Sequence, residues 1–546
     1  MIFPYARKPT RMGKKEILKK KGSDKMKHMR KLFAVLLAVM MVMGLATTAF
    51  AATVDNQTEH SYAAYQVFTG TQSTDSSALG EVKWGTGVDG EALLTDLKKL
   101  DNFKDCTDAA SVADVLAGQS DKSQDAKDFA NVAAKHLTDT SVTIAASATS
   151  VDLAAGYYLL VDTSTVGDGD AMNTALLQVT NKGNVTIEKK YTVPTVEKKI
   201  VEGTTEKDAS DYGIGDTINY KLTGTLPSNY ADYETYKYVF TDTLTAGLTY
   251  PAATAGTAKV YVVNDDTETA LTKDTDYTLD YKNHVLTVTL SNLRAITTAE
   301  ITSDSKIVVK YTAKLNSNAV IGSAGNPNTV VLSYSNNPNQ TGTGEPTTSN
   351  TPEDKVLVFT YKLDVDKIDG TTSAGLSDAE FVLMNADKTK VAKVSNGKIT
   401  GWATDSSITK DTDGTYPAAY TLTSDTNGDF ALQGLDAATY YLVETKAPAG
   451  YNKLKDPIKV VISATVNKDK DTSAALEKLT ISVDDGTAEN GTISTGVVEM
   501  DVKNNQGSTL PETGGIGTTI FYVLGGVLVL AAVVLLVTKK RMSTAE

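Results

Sequence analysis

Cysteine is almost missing from this chain, which has one residue of it, Cys106, in 546. A single thiol closes no internal disulfide, so the durability of the molecule has to come from another source. Histidine is nearly as scarce, with four residues, and together with Cys106 these form no zinc-ligand spacing and no Cys–His dyad. No nucleophile elbow, phosphate loop or paired-carboxylate motif stands out, which argues against an enzyme. Asp411-Thr-Asp413-Gly414 and Asp425-Thr-Asn427-Gly428-Asp429 look like fragments of calcium loops but lack the downstream bidentate glutamate, and they read as hairpin turns. No cofactor is implied. Neither a sustained heptad nor a short repeat occurs, which excludes a coiled coil and a solenoid.

Positive charge is in short supply as well. Residues 1–51 hold twelve of the 53 Lys/Arg and two of the 66 Asp/Glu, so the rest of the chain carries a formal net charge of −23. Binding nucleic acid needs clustered cations, so no nucleic-acid partner is expected. Like-charge repulsion instead favours a soluble surface that does not clump.

Long apolar runs lie only near the two ends. Lys27, Arg30 and Lys31 precede an apolar stretch from Leu32 to about Leu45, and Ala49-Phe50-Ala51 supplies a small-x-small cleavage site. Residues 1–51 therefore read as a signal peptide with a long leader, with Met26 and Met29 as alternative starts. At the other end, Ile516 to about Val537 is apolar and Lys539-Lys540-Arg541 follows. Such a run of about 22 residues, at roughly 1.5 Å each, crosses a bilayer core of about 30 Å. The basic triplet stays in the cytoplasm and leaves everything upstream outside.

Between the ends, alternating apolar residues and frequent Gly, Asn and Asp turns predict β-rich domains. Residues 52–190 form the first, with helix-like stretches at Gly90–Leu100 and Gln124–Leu137 that make it α+β. The second spans 191–353 and closes in a turn-rich linker from Asn336 to Glu353. The third spans 354–509, and residues 510–546 complete the chain.

Alternation also places lysines where apolar residues belong. Lys198 shares a face with Val196 and Ile200, and Lys367 shares one with Leu363 and Val365. A lysine in a core is costly unless it is paired or deprotonated. Matching oddities occur elsewhere: Asn328 shares parity with Val330, Leu332 and Tyr334, and Asn504 with Val498, Met500 and Val502. Asp242 follows Tyr238 and Phe240 on one face, and Glu444 follows Tyr440 and Leu442. Burial lowers a lysine pKa and raises that of a carboxyl, leaving a neutral amine beside a proton donor. Attack of that amine on an asparagine carboxamide would expel ammonia and leave an amide cross-link, once per molecule. Lys199 and Lys362 compete for the nucleophile role.

Leu510-Pro511-Glu512-Thr513-Gly514, followed by the apolar run and the basic tail, resembles the LPxTG sorting signal of Gram-positive surface proteins. Tyr440-Tyr-Leu-Val-Glu-Thr-Lys-Ala-Pro-Ala-Gly-Tyr-Asn452 resembles the E-box of fimbrial shaft proteins. Lys367-Ile-Asp369 with Ala379-Glu380-Phe381 is similar to the opening of a collagen-adhesin B-type module. Pro194-Thr-Val-Glu-Lys198 and Gly325-Asn-Pro-Asn328 resemble the shaft protein's middle domain.

The resemblance implies a major pilin of sortase-assembled pili. Its fold would be mainly β, as tandem immunoglobulin-like β-sandwiches, with a signal peptide and a C-terminal transmembrane sorting helix. It further implies the bonds Lys198–Asn328, with Asp242 as catalyst, and Lys367–Asn504, with Glu444 as catalyst. The first domain's opening strand, Glu59 to Phe68, has no lysine and Asp162 takes the place of the E-box acid, so no bond is expected there. A sortase would cut between Thr513 and Gly514. It would pass the threonine to a lysine at the seam between the first and second domains, Lys190 or alternatively Lys189. Here Glu188-Lys189 replaces the Tyr-Pro that the family carries before its lysine. The implied partners are sortase, identical subunits, minor pilins and peptidoglycan, with membrane contact only before sorting. A monomeric wall-anchored adhesin is the alternative reading.

Overall fold

The computed structural model describes residues 51–72, 79–117, 119, 123–172, 174–180, 184–189, 191–251, 258–340, 344–412, 414–507 and 516–542. The signal peptide up to residue 50, Lys190 and the Leu510-Pro511-Glu512-Thr513-Gly514 motif lie outside the described residues.

The first domain is built on the strand Gly156–Asp162, whose run of tyrosines and leucines is apolar on both parities. Both of its faces are covered. Tyr157 and Leu159 pack with Phe68, Phe103 and Phe129 under three helices. Tyr158 and Leu160 face the small sheet of Val151–Ala154, Ala51–Asn56 and Val185–Ile187. Two helices, Gly90–Leu97 and Gln124–Ala133, start at the side-chain caps Asp89 and Ser123 and end a turn earlier than periodicity suggests. A third helix, Ala109–Leu116, begins with an Asp108–Ser111 capping box.

The middle domain is a sandwich of two seven-stranded sheets. One runs Thr205–Lys207, Val196–Glu202, Thr217–Thr225, Lys306–Leu315, Lys259–Asn264 and Thr267–Ala270, with Leu248–Thr249 beside Lys306–Leu315. The other runs Ala209–Asp211, Asp354–Phe359, Asn326–Ser335, Tyr238–Leu244, Val285–Leu290 and Thr278–Lys282, with Thr348–Asn350 beside Asn326–Ser335. Asp354–Phe359 therefore completes the middle sandwich, pairing antiparallel with Asn326–Ser335, and the third domain's sheet begins after it, at Tyr361 and not at Asp354. Val356, Leu357, Val358 and Phe359 are all buried, so the strand has no alternation to show which sheet it joins.

The third domain is a single eleven-stranded sheet. Its opening strand Tyr361–Asp369 lies parallel to its closing strand Val497–Asn504 at one edge. Thr439–Lys446 is six strands away from that edge, yet Glu444 touches Asn504, so the sheet curls round to close a core. One continuous apolar core runs through the middle and third domains, and Ile214, Phe359, Tyr361 and Leu435 lie within it. The final helix, Ile516–Met542, contains a 22-residue span, Ile520–Arg541, of mean hydropathy 2.9. Phe521 is 79% and Tyr522 82% exposed, as expected of side chains that meet lipid rather than protein.

A middle domain ended at Glu353 should unfold well below one ended at Thr360. Val356, Val358 and Phe359 would each forfeit about 1.5–3 kcal/mol of burial, and paired thermal melts of the two proteins would measure the gap.

Candidate functional site

Alternation carries Lys198 into the middle sandwich, where it lies wholly buried opposite Leu222. Across the core, the other sheet contributes Asp242 and Asn328, both equally buried. The Lys198 amine donates to Asp242 Oδ2 and, at 2.9 Å, to the hydroxyl of Tyr311. That hydroxyl donates to Asp242 Oδ1 at 2.9 Å and accepts from Asn328 Nδ2 at 2.7 Å. Amine, acid and carboxamide thus meet at a single phenol. The rings of Tyr220 and Tyr311 stack at 5.2 Å and lie 5.0 and 5.3 Å from the amine. Asp354 accepts the Lys198 backbone N–H at 2.6 Å and fixes the strand. Burial pushes the Lys198 amine below its ordinary pKa and the Asp242 carboxyl above its own, each against the attraction of the other. Both shifts favour the neutral pair.

The third domain assembles the same residue types within a single sheet. Lys367 aligns with Val502 and Asp369 with Asn504 on the parallel edge strands, so Lys367 and Asn504 share a face two residues apart. Both are buried, and so is Glu444. Asn504 Nδ2 donates to Glu444 Oε1 at 2.9 Å, to Oε2 at 3.1 Å and to the Asn452 carbonyl at 2.9 Å. The Leu454 N–H at 2.6 Å orients the same carboxylate. Lys367 donates to the Val502 carbonyl at 3.1 Å, and burial brings its amine down to about 8 against the pull of Glu444 and Asp369. Among the described residues, the side-chain oxygens of Asn328 and Asn504 are buried and have no hydrogen-bond partner. A buried carboxamide oxygen without a partner is costly, and here it sits on the carbon that an amine would attack.

The competing nucleophiles are placed differently. Lys199 pairs with Asp208 at 2.6 Å and Lys362 with Asp364 at 2.7 Å, and both side chains reach the surface. Asp425 accepts the backbone N–H groups of Asn427 and Asp429 in a tight turn, and no metal-ligating cluster occurs among the described residues.

The first domain has a different arrangement. His60 is buried, with Nδ1 on Asp162 and Nε2 2.6 Å from Asp170 Oδ2. Tyr191 donates to Asp170 Oδ1 at 3.2 Å, and Lys189 donates to the same oxygen at 2.6 Å while lying 4.8 Å from the Tyr191 ring. The seam strand ends at Ile187, so alternation does not govern Lys189, which turns to Asp170 instead. Sequence reasoning missed the His60 cluster, Tyr311 and the Asn452 carbonyl. Tyr311 reads as one more apolar member of the row Ile307, Val309, Tyr311, and only the fold shows what its hydroxyl meets.

Comparison with known proteins yields three family matches. Residues 214–338 match the Gram-positive pilin backbone subunit 2, Cna-B-like domain. Residues 361–478 match a prealbumin-like fold domain, and 502–543 the LPXTG cell wall anchor motif. The trypsin-resistant surface T6 protein of Streptococcus pyogenes serotype M6 is 24% identical over 64% of this chain and 70% of its own length. Fimbrial subunit type 1 of Actinomyces viscosus is 26% identical over 66% of this chain and 67% of its own. The solved T6 backbone pilin, described as a modular three-domain structure, shares the fold with a TM-score of 0.52 at 16% identity, over 85% of this chain and all of that one.

Burial opposes the charged His60 ring, but Asp162 and Asp170 outweigh it and hold its pKa above 6.5. Tyr62 and Tyr191 complete its surroundings. A raised pKa stabilises the folded state fully below the unfolded value, and that stabilisation fades as pH climbs through the folded value. The melting temperature of the first domain should therefore fall as pH rises above about 6.5, and His60→Gln should flatten the trend.

Proposed function

We infer that this chain, a Gram-positive backbone pilin with an LPXTG wall anchor, locks its middle and third domains with internal amide bonds. It is a structural protein, the shaft subunit of a sortase-polymerised pilus on the cell wall. In the proposed maturation, Lys198 joins Asn328 with Asp242 moving protons, and Lys367 joins Asn504 with Glu444 in that role. Each event releases one ammonia, needs no cofactor and happens once. What supports this reading is the burial of lysine, acid and asparagine together at two separate sites, one in each domain, on strands near that domain's start and end. Ordinary surface lysines gain nothing from such placement, and a buried charge without a chemical outlet is a net cost.

Assembly, in the same proposal, has sortase cleave between Thr513 and Gly514 and transfer Thr513 to a seam lysine of the next subunit. Lys190 is the first choice of acceptor and Lys189, with its amine on Asp170, the second. Minor pilins and peptidoglycan would join through the same threonine chemistry.

Two measurements test the proposal. The intact mass of a secreted form covering 52–509 should fall short of the sequence mass by about 34 Da, two ammonia molecules. Lys198→Ala should restore half of that deficit, and an unshifted mass would rule out the cross-links. Detergent-boiled wall extracts should give a high-mass ladder that collapses to monomer in Lys190→Ala. A ladder surviving that change but lost in Lys189→Ala moves the acceptor by one residue.

A further inference from the structure

We propose that Tyr311 is a catalytic residue of the middle domain's cross-link, acting as the proton relay between Asp242 and the departing nitrogen of Asn328. The inference rests on the cross-linking reading above. Its ground is a difference between the two sites. In the third domain Glu444 touches the Asn504 nitrogen directly, so the acid can protonate the leaving group unaided. In the middle domain the Asp242 oxygens contact Lys198 and Tyr311, and Asn328 Nδ2 donates to the Tyr311 oxygen at 2.7 Å, with the Tyr220 hydroxyl also beside Asn328 but not on Asp242. The phenol fills the gap between acid and leaving group.

The protons balance through this route. Counted from the ionised pair, the Lys198 nitrogen carries three protons and ends as an amide N–H, so two must move, and moving the first gives the neutral pair that burial favours. Asp242 takes the first, which frees the amine to attack the side-chain carbonyl carbon of Asn328. As the bond from that carbon to Nδ2 breaks, Tyr311 gives its proton to the nitrogen and Asp242 replaces it on the phenol. Ammonia leaves, and the second proton from the lysine nitrogen ends on Asp242. The phenol finishes as it began. Burial and the Asp242 charge keep the phenol from ionising, so it serves as a neutral carrier.

The test follows both linked peptides by mass spectrometry in the full-length chain, sampled at intervals after a pulse of synthesis. Tyr311→Phe keeps the ring stacked on Tyr220 and should slow the Lys198–Asn328 link about 100-fold or more, while the Lys367–Asn504 link forms on schedule. Tyr250→Phe removes a neighbouring hydroxyl that touches neither reactant and should change neither link. Should Tyr311→Phe fail to fold, 2,3,5-trifluorotyrosine at position 311 retains the hydroxyl with altered acidity and should shift the rate. Linkage at the wild-type rate in either Tyr311 variant overturns the relay. Absence of the Lys198–Asn328 link from the wild-type chain itself would instead strike down the cross-linking reading.

Discussion

The constraint on which this molecule turns is the cost of placing an amine where water cannot reach it. An isolated buried ammonium is so unfavourable that the site must neutralise it, pair it or consume it. The middle site does the first two at once, and the third-domain site lowers its amine toward neutrality while the amine donates to the Val502 carbonyl. Each amine is pushed toward its neutral form while a carboxyl lies in the same core, and each asparagine is buried with its oxygen unsatisfied. Arrangements so unfavourable in one covalent state make sense as the starting point for another. A chain with one buried cysteine has no disulfide route to the same end.

The two sites solve different mechanical problems. In the middle domain the reactants come from facing sheets, so a bond there would staple the layers of the sandwich together. In the third they lie on neighbouring parallel strands, where a bond would weld the opening strand to the closing one. The first domain has neither, and holds His60 of its opening segment between the carboxyl groups of Asp162 and Asp170. That device is reversible and tuned by pH, whereas an amide is neither.

Much of this was legible from alternation alone, because each critical side chain sits on a strand whose neighbours are unambiguous. Lys198 between Val196 and Ile200, and Asn504 beyond Val498, Met500 and Val502, declare their faces without any structure. Legibility fails wherever that rule has no purchase. Asp354–Phe359 is buried on both sides and gave no parity to follow. Lys189 lies past the end of its strand. Tyr311 has the right face but a hydroxyl whose partners come from strands distant in sequence, and pattern cannot supply their positions. His60 precedes its strand, and its aspartates lie about a hundred residues away.

The strand that closes the middle sandwich and the strand that opens the third domain are separated by Thr360 alone. This residue is buried, its hydroxyl donating to the Leu435 carbonyl at 3.0 Å and its own carbonyl accepting the Gly322 N–H at 3.1 Å. A joint of one immobilised residue, set inside a shared core, has no slack to act as a hinge. Two thirds of each subunit therefore behaves as one rod, and a filament of such rods would concentrate its curvature at the remaining joints. Its persistence length would be governed by how few those joints are, not by how strong each one is.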